Sequence, residues 1–419
     1  MTLRQNALTV VAEIKPKQAG ALNDILTALG TDPAGNPKTQ LGNVSSLHFC
    51  AFVILDKDPA YPDYLAFECN YDGDLGTYLD ELVVFAHAGL DALYANCVDY
   101  PENATPDQLK AYLRQHAQPT AAYYVGCRGQ TVGDIKNAIA VRQEIENFLD
   151  AEQARRSLDG LSAQAILARI QAHLNKPGVE SPKVSSETLS MLKSRSRRNL
   201  LLLALVGVPL VLLTLPLLLI WLVLFRRREI LDNRAQPLPP LPVDPRNYLD
   251  PDIRTQSHLT TLVSIKAGPV RQFTLRGVLA LARLVASTVS IYGNLVGIPT
   301  IHFARWLLID HNKRLLFFSN YDGSWASYLG DFVDKAKYGL TAVWGNTTRF
   351  PPSNWLALGG AAYFDEFKAW SRQHNFYAPL FYRAYPSATI ANLLTDIDIR
   401  DNVGRSMSEA EAADFLQRF

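Results

Sequence analysis

The chain has 419 residues, a length that predicts two to three domains. Lys and Arg number 41 and Asp and Glu 40, so the net charge of +1 argues against a basic protein that coats nucleic acid. Apolar residues make up 48% of the chain, which is enough for a sizeable core and excludes a largely disordered protein. The four cysteines are too few for a disulfide scaffold, and no Cys-x-x-Cys pair points to zinc. We therefore expect buried free thiols.

Residues 1–140 predict one compact α+β unit. Its β-rich segments are 8–14, 47–56, 64–70 and 121–127. Its helical segments are 17–29, 74–97 and 107–116. The longest helical segment carries leucines at helical spacing, which predicts one buried face. A charged connector, 141–198, follows, and its first part is expected to be helical.

A membrane segment is predicted at 199–228. Its central 26 residues, 200–225, carry no charge and would form a helix about 39 Å long, more than the roughly 30 Å core of a bilayer. Basic residues flank both ends, which fits best if both ends are cytoplasmic. Pro209 and Pro216 favour a kink. Two alternatives stay open: a kinked single span, and a re-entrant hairpin that returns to the side it entered.

A proline-rich linker, 229–257, leads to a second α+β unit at 258–400 and a C-terminal tail at 401–419. The β-rich segments of the second unit are 260–266, 301–310, 314–320 and 379–385, and its helical segments include 270–288 and 364–374. The 270–288 helix is apolar but also carries three arginines. It is interpreted either as a core helix or as an amphipathic element on a membrane surface.

The two units are copies of each other. Between residues 70–101 and 320–351, 13 of 32 positions are identical, and the Asn-Tyr-Asp-Gly sequence begins both segments. Further matching blocks occur in the same order on either side. The predicted order, β-α-β-β-α-β in each copy, is the ferredoxin-like pattern.

This duplication bears on membrane topology. Two helices cover one face of a ferredoxin-like sheet, and the other face has to pack on something. If the two copies pack sheet against sheet, both must lie on the same side of the membrane, which favours the hairpin. The alternative is that each copy dimerises with its own kind on its own side. We expect the soluble parts to be cytoplasmic, because the N-terminus has no apolar export segment.

Candidate site residues lie in the matching blocks. The Asn-Tyr-Asp-Gly turn places Asp72 and Asp322 at a strand-to-helix junction, where they either shape the turn or act as acid or base. His48 and His302 share one strand position, as buried structural residues, bases or ligands. Strand alternation predicts His302, Ala304 and Trp306 on one face, opposite Arg305. His116 and His374 are expected at exposed helix ends.

The tandem α+β copies resemble the dimeric α/β-barrel superfamily, and within it the dye-decolourising peroxidases. The motif of that family, Gly-x-x-Asp-Gly, is matched here only at its end, by Asp72-Gly73 and Asp322-Gly323; Cys69 and Ser319 stand at the first Gly. The resemblance implies the fold and suggests haem, with His302 or His374 as its ligand.

Two functional hypotheses follow. The first is a membrane-anchored oxidoreductase of peroxidase or oxygenase type with its site in the second copy. There Asp322 is the acid or base, Arg305 stabilises a developing anion, and His302 and Asn320 complete the site. The second is a non-catalytic membrane module that binds an apolar or small-molecule ligand or a protein partner. Membrane lipid is an expected partner in both cases, and a homodimer is possible.

Overall fold

A computed structural model describes residues 5–183, 189–234, 238–248, 255–290 and 293–419 of this mixed α+β protein. The strands of the first half are β1 (Gln5–Glu13), β2 (Leu47–Leu55), β3 (Tyr64–Asp72) and β4 (Thr120–Val125). Its helices are α1 (Ala19–Gly30), α2 (Leu75–Tyr94) and α3 (Pro106–Gln115). These bounds lie within a few residues of the predicted ones, because apolar periodicity and turn residues fix local structure.

The second half repeats this order. Its main strands are β5 (Gln256–Ser264), β6 (Ile301–Ile309), β7 (Arg314–Asp322) and β11 (Leu380–Arg383). Its helices are α7 (Pro269–Thr288), α8 (Trp325–Trp344) and α9 (Phe364–His374). Three short strands are particular to this half: β8 (Ser353–Asn354), β9 (Leu358–Gly359) and β10 (Asn375–Phe376).

The last strand of each half joins the sheet of the other half. One sheet has the order β1-β3-β2-β11 and the other β10-β5-β7-β6-β4. We expected each last strand to complete its own copy; instead β4 pairs with β6, and β11 pairs with β2. The sequence specifies that these segments are strands, but not which edge they meet. This exchange connects the two halves by main-chain hydrogen bonds.

The two sheets also face each other. Val53 and Ala66 of the first half pack in one buried cluster with Leu307, Leu316 and Phe318 of the second half. The outer face of each sheet is covered by helices, α1 to α3 on one side and α7 to α9 on the other. All four cysteines are buried and free, as predicted.

One end of this assembly is closed by helices outside the duplicated pattern. α4 (Val132–Ala154) and α10 (Ile390–Asn402) pack together against Phe49 and Phe303. α5 (Ala163–Leu174) and α11 (Glu409–Leu416) pack beside them. The segment predicted as a tail, 401–419, therefore contains a packed helix, because its apolar side chains have a surface to bury against.

The apolar segment lies within one long helix, α6 (Leu189–Arg234), of 46 residues. It is long and apolar enough to cross a membrane, judged by length and composition alone. Pro209 and Pro216 both lie inside it, and most of its apolar side chains are exposed.

Both ends of α6 contact the same helix, α7. Near the start, Ser196 Oγ donates to Thr288 O at 2.7 Å. Near the end, Arg271 Nε lies 2.8 Å from Asp232 Oδ2. A straight helix would separate Ser196 from Asp232 by about 54 Å, since each residue rises about 1.5 Å. Arg271 and Thr288 are only about 26 Å apart along α7, and side-chain reach adds at most about 20 Å. A straight helix could not make both contacts, so α6 is bent between them.

Candidate functional site

A histidine and an aspartate form the same buried pair in both halves. His48 Nε2 lies 3.0 Å from Asp72 Oδ1, and His302 Nε2 lies 2.7 Å from Asp322 Oδ1. The histidines lie on β2 and β6, and the aspartates end the neighbouring strands β3 and β7. All four side chains are buried. The two halves thus share a tertiary contact as well as a sequence.

The second oxygen of each aspartate binds the start of a helix. Asp72 Oδ2 accepts from Val132 N at 2.7 Å, and Asp322 Oδ2 accepts from Ile390 N at 2.7 Å. Val132 and Ile390 are the first residues of α4 and α10, where free N–H groups and the helix dipole favour an anion. Each aspartate therefore connects a strand end, a histidine and a closing helix.

The turn that follows each aspartate has a structural role in both halves. Gly73 and Gly323 adopt φ of 86° and 79°, a conformation that favours glycine. Asp74 then accepts from Thr77 N, and Ser324 accepts from Ser327 N, so both cap their helices. The carboxylates of Asp72 and Asp322 point into a packed interface between elements.

Strand alternation predicted the wrong neighbours for His302. The pairing of β6 with β7 shifts register between Ile301 and Phe303, which is the position of a β-bulge. The extra residue lets His302 contact Phe49 of the other sheet, at 5.1 Å between ring centroids, while Ala304 and Trp306 pack under the helices. A bulge breaks the period of two, so faces predicted across it are reversed.

Arg305 forms an ion pair between the halves. Its NH2 group donates to Glu68 and to Cys69 O at 2.9 Å, and its NH1 group donates to Leu8 O at 2.9 Å and Thr9 Oγ1 at 3.1 Å. Both charged side chains are buried. The sequence predicted that Arg305 faces away from Ala304 and Trp306, and the ion pair agrees with that. Each of these Arg305 N–H groups donates to an acceptor within the protein.

Asn320 extends this network across the interface. Its Oδ1 accepts from Asn70 Nδ2 at 3.0 Å, and its Nδ2 donates to Glu68 Oε1 at 3.0 Å and lies 3.1 Å from His258 Nδ1. Tyr123 OH donates to Asn70 Oδ1 at 3.2 Å. The two copies of the same asparagine thus meet each other at the centre of the molecule.

Burial keeps His258 uncharged. Its pKa is lowered to about 4, mainly by desolvation and further by Arg305, while Glu68 opposes the shift. Its Nε2 lies 2.8 Å from Thr260 Oγ1. A neutral imidazole therefore completes the network beside the ion pair without adding a buried charge.

The prediction that His374 is an exposed helix end is wrong. The side chain is buried, and Nδ1 donates to Trp370 O at 2.7 Å. Burial lowers its pKa to about 4, Arg349 and Lys57 add to the shift, and the bond to Trp370 opposes it. β10 follows directly and holds this helix end against β5. His116, its counterpart, is half-buried.

The residues predicted to hold haem do not fit that group in this structure. His302 Nε2 is bonded to Asp322, and Phe49 and Tyr385 pack on its ring. His374 Nε2 has no hydrogen-bond partner, but the cavity that His374 lines has a volume of 20 Å³, space for one water molecule. A haem ligand needs an open nitrogen beside a much larger space. The structure therefore brings His302 and Asp322 together, with Arg305 and Asn320 in a separate network, and offers no haem pocket at either histidine.

Two features of this site are missing from the sequence analysis. Glu68 was visible as a single charge inside an apolar strand segment, and Phe318 stands at its position in the other half. Gln5 and Gln256 begin β1 and β5, and each donates to two carbonyl oxygens of the loop before a closing helix. Extending the alignment of the two halves to these strand ends would have shown that Gln5 and Gln256 occupy equivalent positions.

The ion pair yields a stability prediction. Arg305→Ala leaves Glu68 buried and unpaired, so we expect a loss of about 3–5 kcal/mol in unfolding free energy. In the double variant Arg305→Ala/Glu68→Phe, each position takes the residue found at its equivalent, Ala51 or Phe318. We expect this variant to recover most of the loss in denaturant unfolding of the detergent-solubilised chain. Equal losses in the single and double variants would contradict the assignment.

The buried histidines yield a pH prediction. A histidine in the unfolded chain has a pKa near 6.5, whereas burial lowers the pKa of His374 to about 4. Between these two pH values the unfolded chain binds one proton more than the folded chain. The unfolding free energy therefore falls as the pH falls through this range. His374→Asn retains a donor for Trp370 O but does not titrate. We expect it to reduce the acid-induced loss in unfolding free energy by up to about 3 kcal/mol. His116→Asn is the matched control, since His116 makes the equivalent bond to Tyr112 O. Identical pH profiles for the native chain and His374→Asn would refute this role of burial.

Comparison with known protein families, with curated proteins and with solved structures finds no match to this chain. The resemblance to dye-decolourising peroxidases therefore depends on the architecture and on the Asp-Gly pairs alone, and it stays a prediction. The functional argument has to proceed from the geometry of the molecule itself.

Proposed function

We propose that this chain is a membrane-anchored, non-catalytic module. In this proposal two fused ferredoxin-like units form one body that is held on a single face of a bilayer by a helical hairpin, α6. The body presents its surface to a protein partner or an apolar ligand at that membrane. The observation that carries the proposal is that both ends of α6 contact the same helix, α7, near Arg271 and near Thr288.

The interface between the halves supports placing both on one side. The sheets share a buried interior and exchange their last strands, so a bilayer cannot lie between the two halves. The alternative, in which each half dimerises with its own kind, conflicts with the asymmetry of the ion pair. Two second halves would bring two Arg305 side chains against Phe318 without a carboxylate. Two first halves would bury two Glu68 side chains without a cation.

The form of α6 supports a hairpin in lipid. The helix continues through its bend, so most main-chain groups keep their partners, and a bare turn in hydrocarbon is avoided. Thr214 Oγ1 donates to Leu210 O at 2.8 Å, a contact that accompanies helix bending, and it lies between Pro209 and Pro216. Arms of this length would reach roughly 15–20 Å into the bilayer, about half of a roughly 30 Å core.

The predicted catalytic residues support a structural role for the interior. His302 and Asp322 hold each other and the start of α10, and Arg305 and Asn320 bind Glu68. These side chains are buried, and their bonds connect elements of the fold. An oxidoreductase at this site would need them to face a substrate.

Membrane topology tests the anchor. Reporters fused at residue 1 and residue 419 of the full chain are expected to give readings from the same side of the membrane, because both halves belong to one body. In a control chain, an ordinary spanning helix stands between residue 419 and the C-terminal reporter. This helix is expected to move only the C-terminal reporter to the opposite side. Readings from opposite sides in the unmodified chain would exclude the hairpin.

Matched aspartate variants test the non-catalytic part. Asp322→Asn replaces one acceptor oxygen with a donor, so either Ile390 N loses its acceptor or His302 has to change its tautomer to accept from the new amide. We expect a loss of about 1–3 kcal/mol in unfolding free energy. Asp72→Asn should give a similar loss, because its contacts are the same. A stable Asp322→Asn beside a destabilised Asp72→Asn would indicate that Asp322 serves chemistry at the expense of stability.

A further inference from the structure

The helix α7 has apolar side chains on two sides. Leu275, Leu279 and Ala286 are buried toward the sheet, as the core-helix interpretation requires. On the opposite side Phe273 is 70% exposed and Leu281 is 59% exposed, even with α6 packed against the helix. Exposed arginines border this outer side at 276 and 283. A solvent-facing stripe with large apolar residues and flanking arginines is typical of a helix at a membrane interface.

The contacts of α6 place both ends of α7 where the apolar segment begins and ends. Ser196, bonded to Thr288, lies four residues before the uncharged run 200–225. Phe225, the last residue of that run, packs against the Arg271 guanidinium at 4.6 Å. Since both arms leave the body at the ends of α7, this helix lies along the plane of the bilayer surface if α6 is inserted.

A small hairpin, β8–β9, contacts α6 just after its uncharged run. Trp355 N donates to Glu229 Oε2 at 2.7 Å, and the Arg226 guanidinium lies 5.2 Å from the Trp355 ring. Arg226 is the first residue after the uncharged run. Trp355 is 52% exposed and Leu358 is 49% exposed. Tryptophan is enriched at this depth in membrane proteins, because its ring is apolar and its N–H is polar.

We infer that the outer side of α7 and the tip of the β8–β9 hairpin form an interfacial docking face, whose occupant is the headgroup layer of the bilayer. The inference rests on the proposed anchor and extends it. The anchor attaches the body, and the docking face fixes its orientation. The second half then lies next to the membrane. The helices of the first half, α1 to α3, face away, because the two sheets lie between them and α7. The exposed arginines at 276 and 283 favour anionic lipid at this face.

Site-directed fluorescence on the full chain tests this orientation. The four native cysteines are buried, so single exposed cysteines can be labelled selectively. The variants Leu281→Cys and Leu358→Cys probe the docking face. Val84→Cys is the matched control, because Val84 is exposed on α2 in the other half. Leu213→Cys, within α6, reports on the anchor. Each chain carries a bimane label in vesicles of phosphatidylcholine and phosphatidylglycerol, with lipids brominated either near the headgroup or deep in the acyl chain.

We expect bromines near the headgroup to reduce the fluorescence of the labels at 281 and 358. Bromines deep in the acyl chain should reduce the fluorescence of the label at 213. Neither lipid should affect the fluorescence of the label at 84. A label at 213 that is quenched while those at 281 and 358 behave like the label at 84 would overturn the docking face and leave the anchor in place. An unquenched label at 213 would overturn the anchor, and with it the proposed function. Equal quenching at 84 and 281 would show that the body has no fixed orientation.

Discussion

A charged arginine from one half of this protein lies against a glutamate from the other, in the interior between two sheets. Arg305 and Glu68 are both buried, and each would be strongly unfavourable there without the other. The pair occurs once, because Ala51 and Phe318 stand at the equivalent positions. It therefore distinguishes the two copies and selects the first half as the partner of the second.

This pairing constrains the path of the chain. Two halves that share an interior must lie on the same side of any membrane, yet a long apolar segment separates them in sequence. If that segment enters a membrane, the chain has to return to its starting side, and the bend of α6 between its two contacts with α7 is consistent with that requirement. In the proposed topology the duplication and the apolar segment are thus coupled, although neither alone predicts a hairpin.

Contacts within the same fold explain the sequence blocks that the two halves share. Asn-Tyr-Asp-Gly is retained in both halves because its aspartate accepts from the first N–H of a closing helix and holds a strand histidine. Its asparagines meet each other at 3.0 Å in the centre of the molecule. Residue types that suggest acid–base chemistry make contacts here that join elements of the fold, so repetition of a motif does not by itself identify an active site.

The sequence by itself determined the order of strands and helices in the two halves and the apolar segment, because these depend on local periodicity, turn residues and runs of one residue type. It left the Asn-Tyr-Asp-Gly turn open between a structural role and acid–base chemistry. Only the tertiary structure decided which sheet each last strand joins, that His374 is buried, that His302 sits at a bulge and that Arg305 meets Glu68. Those outcomes depend on contacts between residues far apart in the chain, and a charge in a strand does not reveal its partner before the sheets are packed.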